Sequence, residues 1–347
     1  MADSNREWEA QAPPVRRLVE ALAEPALIVE AEVVRIANSA ARTLLGASVE
    51  GEDVRRAFGH PAAAERLLGG RADADEEAEL VGLGEADRRW RMHVADVGEG
   101  AMLVRLIDRS EAQAAEQMRV NFVANASHEL RTPLATLVGY AETLRERGGE
   151  IDEETRARFI GIVHDEARRM QRLVEDLISL SRIEAERFSV PTDALSLQQL
   201  VEEARAGLDS AVRERASEIR IHAEPELPPI AGDRSQILQM IDNVLANALR
   251  YGRKGTPVIV TVARSRDMLR LTVTDEGEGI APEHLPRITE RFYRADPSRS
   301  RSLGGTGLGL SIVKHIVERH RGRLTIESVV GQGTSVHVLL PVAGAAA

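Results

Sequence analysis

The sequence contains no cysteine, which excludes disulfides, zinc–thiolate centres and thiol catalysis. Aromatic residues make up only 3% of it, so its cores must be built from Leu, Val, Ile and Ala. No apolar run reaches the ~18 residues that a membrane-spanning helix needs. The most apolar early stretch, Ala26-Leu27-Ile28-Val29, is broken by Glu30 and Glu32. No signal-peptide pattern is present, and a cytoplasmic location is expected. There is no basic block, and the formal net charge is -10. That balance argues against direct nucleic-acid binding, which uses a basic face. The 347 residues, 43% of them hydrophobic, are enough for two to three globular domains.

One stretch organises the chain: Ser127-His128-Glu129-Leu130-Arg131-Thr132-Pro133-Leu134. It lies within a helical pattern in which Phe122, Ala126, Leu130, Leu134, Leu137, Ala141 and Leu144 recur at spacings of three and four. At ~100° per residue, His128 stands ~160° from Ala126 and Leu130, away from this stripe. Pro133 has no amide hydrogen and crowds the carbonyl four residues back, which predicts a loosened helix at Glu129. The spacing predicts one helix over residues 111–147, ended by Gly148-Gly149, and a second begun at Asp152 and running to about residue 186. A pair of helices this long cannot bury both apolar stripes against each other alone, which predicts two hairpins dimerising into a four-helix bundle, the alternative being a single hairpin packed on the other domains.

Before this segment, strand-like runs occur at 26–29, 33–36, 79–81, 90–94 and 101–107, with a short helix over 38–46. A further short helix is expected over 15–22, after a polar N-terminus of residues 1–14. From Leu195 onward the pattern is α+β: helices over 197–215, 235–249 and 308–320, and alternating strands over 219–223, 258–263, 269–274, 323–328 and 335–340.

Four clusters fall on this last frame. Asn243 and Asn247 are i, i+4 and share a helix face, followed by Arg250 and Tyr251. An amide oxygen there can ligate Mg²⁺, although paired asparagines also serve as surface or capping groups. Asp275-Glu276-Gly277-Glu278-Gly279 follows a strand, where a carboxylate can accept from an adenine amino group or simply form a turn. Arg287-Ile288-Thr289-Glu290-Arg291-Phe292-Tyr293-Arg294 is the third. In the fourth, Gly305-Thr306-Gly307-Leu308-Gly309 opens a helix whose free amides suit phosphate oxygens. It fits neither a dinucleotide fingerprint nor a P-loop. Gly331-Gln332-Gly333-Thr334 comes last.

The octet around His128 resembles the H-box of two-component sensor histidine kinases. The later clusters, in their order, resemble the N, G1, F, G2 and G3 boxes of the Bergerat ATP-binding fold. The resemblance spans about residue 111 to the end and is nearest to phosphate-regulon sensors. The family pattern carries an aromatic where this chain has Thr289. The strand–helix pattern before residue 110 resembles a PAS sensor domain. The resemblance implies a multidomain fold: flexible residues 1–14, a PAS-like α/β domain over 15–110, a dimerisation and phosphotransfer hairpin over 111–190, and an α/β-sandwich catalytic domain over 191–347. It implies that His128 takes the γ-phosphoryl group of Mg-ATP, since an unprotonated imidazole nitrogen is nucleophilic near neutral pH. Glu129 would orient that imidazole, and Thr132 would position water for phosphatase activity. ATP would be held by Asn243, Asn247, Arg250, Tyr251, Asp275, Gly277, Gly279, Arg294, Gly305, Thr306, Gly307, Leu308, Gly309 and Thr334, with Mg²⁺ on Asn247. The implied partners are a second copy of the chain and a response regulator that receives the phosphoryl group on Asp. His60 and His93 are the candidate haem ligands of the N-terminal domain, though a lone histidine is more often structural. Two other readings stay open: a Bergerat-type ATPase that uses water, and a nucleotide-binding scaffold or phosphatase without autokinase activity.

Overall fold

The computed structural model describes residues 14–68, 78–85, 87–98, 100–147, 149, 151–186, 189–208, 215–296 and 305–344. The expected flexible N-terminus falls outside this set up to residue 13, as do Gly148 and the 209–214 end of the helix expected over 197–215. Backbone contacts divide the chain into two units, Met1–Asn121 and Phe122–Ala347.

In the first unit, helix α1 (residues 14–20) is followed by β1 (Ala26–Glu30), β2 (Val33–Ala37), α2 (Ser39–Leu45), α3 (Val54–Phe58) and α4 (Pro61–Leu68). Strands β3 (Ala78–Val81), β4 (Arg89–Gly98) and β5 (Ala101–Asp108) complete an antiparallel sheet of order β2-β1-β5-β4-β3. Strand β1 alternates its side chains between two apolar clusters. Leu27 and Val29 join Val54, Phe58, Leu67 and Met92, whereas Ala26 and Ile28 join Val19 and Ile36. Asn38 caps α2 and is fully buried. Its Oδ1 accepts from the amides of Ala26 and Ala41, and its Nδ2 donates to the carbonyls of Leu22 and Glu24. All its bonding capacity is therefore used, as burial of an amide requires.

Helix α5 (Ser110–Arg147) starts in this unit and continues into the second. Helix α6 (Glu153–Ala185) returns, with the Asp152 side chain accepting from the Thr155 amide as its N-cap. Tyr140 and Phe159 meet edge to face at 4.9 Å between the two helices. The helix is continuous through Pro133, contrary to the loosening its missing amide predicts; beside it, the Thr132 hydroxyl donates to the His128 carbonyl at 3.3 Å. The expected stripe divides. Leu130 packs on the core of the second unit, but Leu134 is 50% exposed. Leu134, Val138, Ile160, Val174 and Ile178 leave an apolar surface on the hairpin.

The remainder is an α/β layer: β6 (Asp193–Leu195), α7 (Leu197–Gly207), a short 3₁₀ turn (Ala216–Glu218), β7 (Ile219–Ala223), β8 (Ile230–Gly232), α8 (Arg234–Tyr251), β9 (Val258–Ser265), β10 (Met268–Asp275), α9 (Gly309–Arg319), β11 (Arg323–Val329) and β12 (Gly333–Pro341). The main sheet has the order β11-β12-β10-β9-β7, antiparallel except for the parallel β7–β9 pair. Leu269, Leu271 and Val273 alternate along β10 and are buried under α8, while Arg270 is exposed. Leu173, Leu180 and Ile183 of α6 enter the same cluster. The expected strands all form, each ending within two residues of its predicted limits except β4, which runs four residues past the expected end at 94.

Candidate nucleotide and phosphoacceptor site

A cavity of about 820 Å³ lies between α8, the end of β10, the loop before α9, and α6. The Asp233 side chain starts α8 by accepting from the amides of Ser235 and Gln236. The apolar face of that helix, Ile237, Ile241, Val244 and Leu245, fixes its rotation, which turns Asn243 and Asn247 to the cavity. A Cβ on Gly309 would stand 3.2 Å from Asn243 Oδ1 and 3.9 Å from Asn247 Nδ2. The two asparagines therefore face the first turn of α9. The Leu308 amide donates to the Thr306 hydroxyl at 3.3 Å, and no Leu308 side-chain cap takes the next amides of the turn, which suit an anion. Arg250 and Tyr251 line the same wall.

Asp275 ends β10, 7% exposed, paired in register with Thr334. It accepts from the Gly277 amide at 2.8 Å. Burial pushes its carboxyl above the usual carboxylate range, opposed by the Gly277 and Thr334 amides and by the Arg215 charge. Thr334 is fixed in turn by Ser328, hydroxyl to hydroxyl at 2.9 Å. Only glycine fits around this carboxylate. A Cβ on Gly277 would stand 2.4 Å from the Tyr251 carbonyl oxygen, and one on Gly279 (φ +72°) 2.2 Å from that of Val329. Of the predicted binding residues, Gly277 and Leu308 do not line the cavity: the first donates to Asp275, and the second is a buried core residue. The other twelve do line it.

The Arg287–Arg294 segment closes one side. The Phe292 amide donates to the Gly307 carbonyl at 2.8 Å, with Phe292 itself at φ +63°. This conformation is costly for a non-glycine residue and joins the segment to the glycine loop. Tyr293 is fixed by His284 at 2.8 Å and by the Arg287 guanidinium 4.4 Å above its ring.

Sequence spacing gave no sign of how α5 and α6 meet this cavity. Arg172, Glu175 and Asp176 of α6 line it, and Asp176 accepts from the Thr306 hydroxyl at 2.7 Å. Burial pushes the Asp176 carboxyl up to about 6. Asp242, adjacent to Asn243, also lines the cavity and is raised to about 6 by burial, reinforced by the Glu203 charge. Arg294 donates to Glu129 at 2.9 Å and Arg169 to the same oxygen at 3.2 Å. Arg291 bonds Glu184 and lies 5.2 Å over the Phe122 ring, and Phe122 meets Phe292 at 5.9 Å. Glu129 is thus occupied by two guanidiniums and makes no hydrogen bond to His128. The His128 side chain is exposed. His60 and His93 belong to the first unit.

Oxygen donors are what Mg²⁺ takes, and it keeps waters and phosphate oxygens as further ligands. The amide oxygens of Asn243 and Asn247 beside an anion-accepting helix start fit that donor set. Among the described residues, no helix is long and apolar enough to cross a membrane.

Two family descriptions match the chain: "His Kinase A (phospho-acceptor) domain" over residues 118–186, and "Histidine kinase-, DNA gyrase B-, and HSP90-like ATPase" over residues 232–344. The phosphate regulon sensor protein PhoR of Pseudomonas aeruginosa is 34% identical over 301 residues, 86% of this chain and 67% of that protein. The sensor protein kinase WalK of Staphylococcus epidermidis is 37% identical over 238 residues, 68% of this chain. The chain spans only 38% of WalK's length. A crystal structure of full-length ShkA with AMPPNP aligns over 67% of this chain and 47% of that one, at 26% identity and a TM-score of 0.46.

Proposed function

The chain belongs to the sensor histidine kinases, and we propose that it transfers the γ-phosphoryl group of ATP to His128. The single observation that carries this reading is the cavity: the Asn243/Asn247 face, the uncapped start of α9 and the glycine-walled Asp275 converge in it. Adenine would donate its amino group to Asp275, and the phosphates would lie along Gly305–Gly309 with Arg250 and Arg294 as cations. Asn247, with Asn243, would hold Mg²⁺, whose charge offsets that of the phosphates. In the transfer, an imidazole nitrogen of His128 forms the P–N bond as the P–O bond to ADP breaks, and the imidazole proton is lost to Glu129 or water. Arg294 must first leave Glu129. We read the Glu129–Arg294 pair as a resting arrangement in which the H-box acid and a cation of the Arg287–Arg294 segment, the lid of the cavity, neutralise each other.

The remaining assignments rest on sequence pattern and family. The phosphoryl group passes to an Asp of a separate response regulator, and Thr132, one turn beyond His128, positions water when the reaction is reversed in effect by phosphatase action. The apolar surface formed by Leu134, Val138, Ile160, Val174 and Ile178 supports a homodimer built as a four-helix bundle. The β2-β1-β5-β4-β3 order supports a PAS-like sensor ahead of the kinase core, and PhoR's name supports a phosphate-regulon sensing role. The domain limits remain those of the sequence reading, with a cytoplasmic location and no direct contact with nucleic acid.

Titration with Mg-ATP tests the cavity. Wild type should bind, and Asn247→Ala and Asp275→Asn should each weaken binding by about tenfold or more, the loss of one hydrogen bond to a charged partner. Unchanged affinity in both variants would refute the assignment.

A further inference from the structure

We infer that Arg215, outside the cavity and outside every glycine or asparagine box, is a positioning residue for the adenine end of the nucleotide site. The inference rests on the reading that Asp275 takes the adenine amino group.

The last carbonyls of a helix have no partner within it. At the end of α8, Arg215 supplies them with one. Its Nη1 donates to the Leu249 carbonyl, and to that of Gly252 at 3.2 Å; its Nη2 donates to the Arg253 carbonyl at 2.9 Å. Glu218 fixes the guanidinium from the other side, accepting from Nε at 2.9 Å, and also accepts from the Gly255 amide at 3.2 Å. The Arg215 side chain is 15% exposed, so this is a desolvated clamp. A cation here also meets the negative end of the helix dipole.

The turn so held is the back wall of Asp275. A Cβ on Gly252 would stand 3.3 Å from Asp275 Cβ and 2.4 Å from the Ala248 carbonyl oxygen. The Tyr251 carbonyl presses equally closely on Gly277, whose amide binds Asp275. A guanidinium that spans Leu249, Gly252 and Arg253 therefore sets where the carboxylate stands. It also acts at a distance. The groups that face Asp275 are the Gly277 and Thr334 amides, the end of α8, and Arg215; Glu276 and Glu278 on its own loop are exposed. Burial pushes the Asp275 carboxyl up, and Arg215 is the cation that opposes this. An ionised carboxylate accepts a stronger hydrogen bond than a protonated one, so nucleotide affinity should fall as pH drops through the titration of Asp275.

The test uses the full chain and Mg-ATP, with the dissociation constant measured from pH 5 to pH 9. The nucleotide's own titration is common to all variants and cancels in the comparison with wild type. Arg215→Met should raise the dissociation constant about tenfold and move the midpoint of the profile to higher pH, while the turnover at saturating ATP stays within about twofold. Arg215→Lys should restore the midpoint but not the full affinity, because an ammonium cannot span three carbonyls. Glu218→Gln should move the midpoint the opposite way, to lower pH, because it leaves the Arg215 charge unbalanced; this variant also decides the matter if Arg215→Met does not fold. An Arg215→Met protein that melts earlier but keeps the wild-type affinity and midpoint would reduce Arg215 to a helix cap and overturn the inference. Asp275→Asn separates the two levels. If it leaves affinity intact, the adenine assignment itself fails; if it weakens binding while Arg215→Met does not, only the role of Arg215 fails.

Discussion

Two glycines at the turn into β12, Gly331 before the strand and Gly333 at its start, should respond very differently to the same added methyl group. Both have positive φ, +82° and +120°. A Cβ on Gly331 meets nothing within 4 Å. Gly331→Ala should therefore cost only the left-handed strain of a non-glycine residue, about 1–2 kcal/mol. A Cβ on Gly333 would stand 1.9 Å from the Asp275 carbonyl oxygen, 2.8 Å from its carbon and 3.0 Å from Glu276 Cα. These are backbone atoms and cannot rotate aside. Relief requires prising β12 from β10 at the Asp275–Thr334 pair. Gly333→Ala should lose the strain, about 1–3 kcal/mol, and the ladder bonds there, for a total of about 4 kcal/mol. For a unit of the size of Phe122–Ala347, each 1 kcal/mol lowers Tm by about 2–4 °C. Thermal unfolding should show Gly333→Ala about 10 °C below wild type and Gly331→Ala about 3–5 °C below it. ATP affinity should fall only in the first, since Asp275 moves only there. Equal losses for both variants would refute the reasoning from contact geometry.

Asp176→Asn should stabilise the protein at pH 8 and not at pH 4. The folded carboxyl, held up to about 6 against an ordinary 3.8, keeps its proton where the unfolded chain has lost it, so folding weakens as pH rises between those values. The gain is at most about 3 kcal/mol, and Tm measured against pH checks the sign. Arg291→Met should remove the Glu184 bond and the contact over Phe122, loosening the lid. Amide exchange at Phe292, which donates to Gly307, should accelerate about tenfold, equivalent to ~1.4 kcal/mol; an unchanged rate would show that the lid holds without Arg291. Thr289 lines a second cavity with Leu285, Val317, Leu324 and Ile326. Thr289→Phe should fill it and raise stability by about 1 kcal/mol, read as a higher Tm, whereas a lower Tm would mean that the space cannot admit the ring.

Sequence carried the local half of this structure. Apolar alternation marked β10 because one face of a strand is buried and the other is not, and the asparagine spacing marked one face of α8. The capping residues Asn38, Asp152 and Asp233 stand where their helices start. Three-residue strands such as β6 and β8 are too short to show a period, and helix α3 is fixed by packing of Val54, Ala57 and Phe58 rather than by pattern. Long-range pairing was least legible. Glu129 and Arg294 are 165 residues apart, and nothing in either neighbourhood announces that a lid arginine will occupy the acid expected to serve His128. Likewise Asp176 reads as an ordinary polar position on α6, yet it reaches Thr306 in the glycine loop. Arg215 lies in no recognisable motif because its partners other than Glu218 are main-chain carbonyls, which every residue type supplies.

The most direct test of the account is incubation of the full chain with γ-labelled Mg-ATP, comparing wild type with His128→Gln. The account predicts label on wild type that is labile to acid and stable to alkali, as a phosphoramidate is, and no label on the variant. Equal labelling of both proteins, or steady release of phosphate from both without labelling, would contradict it.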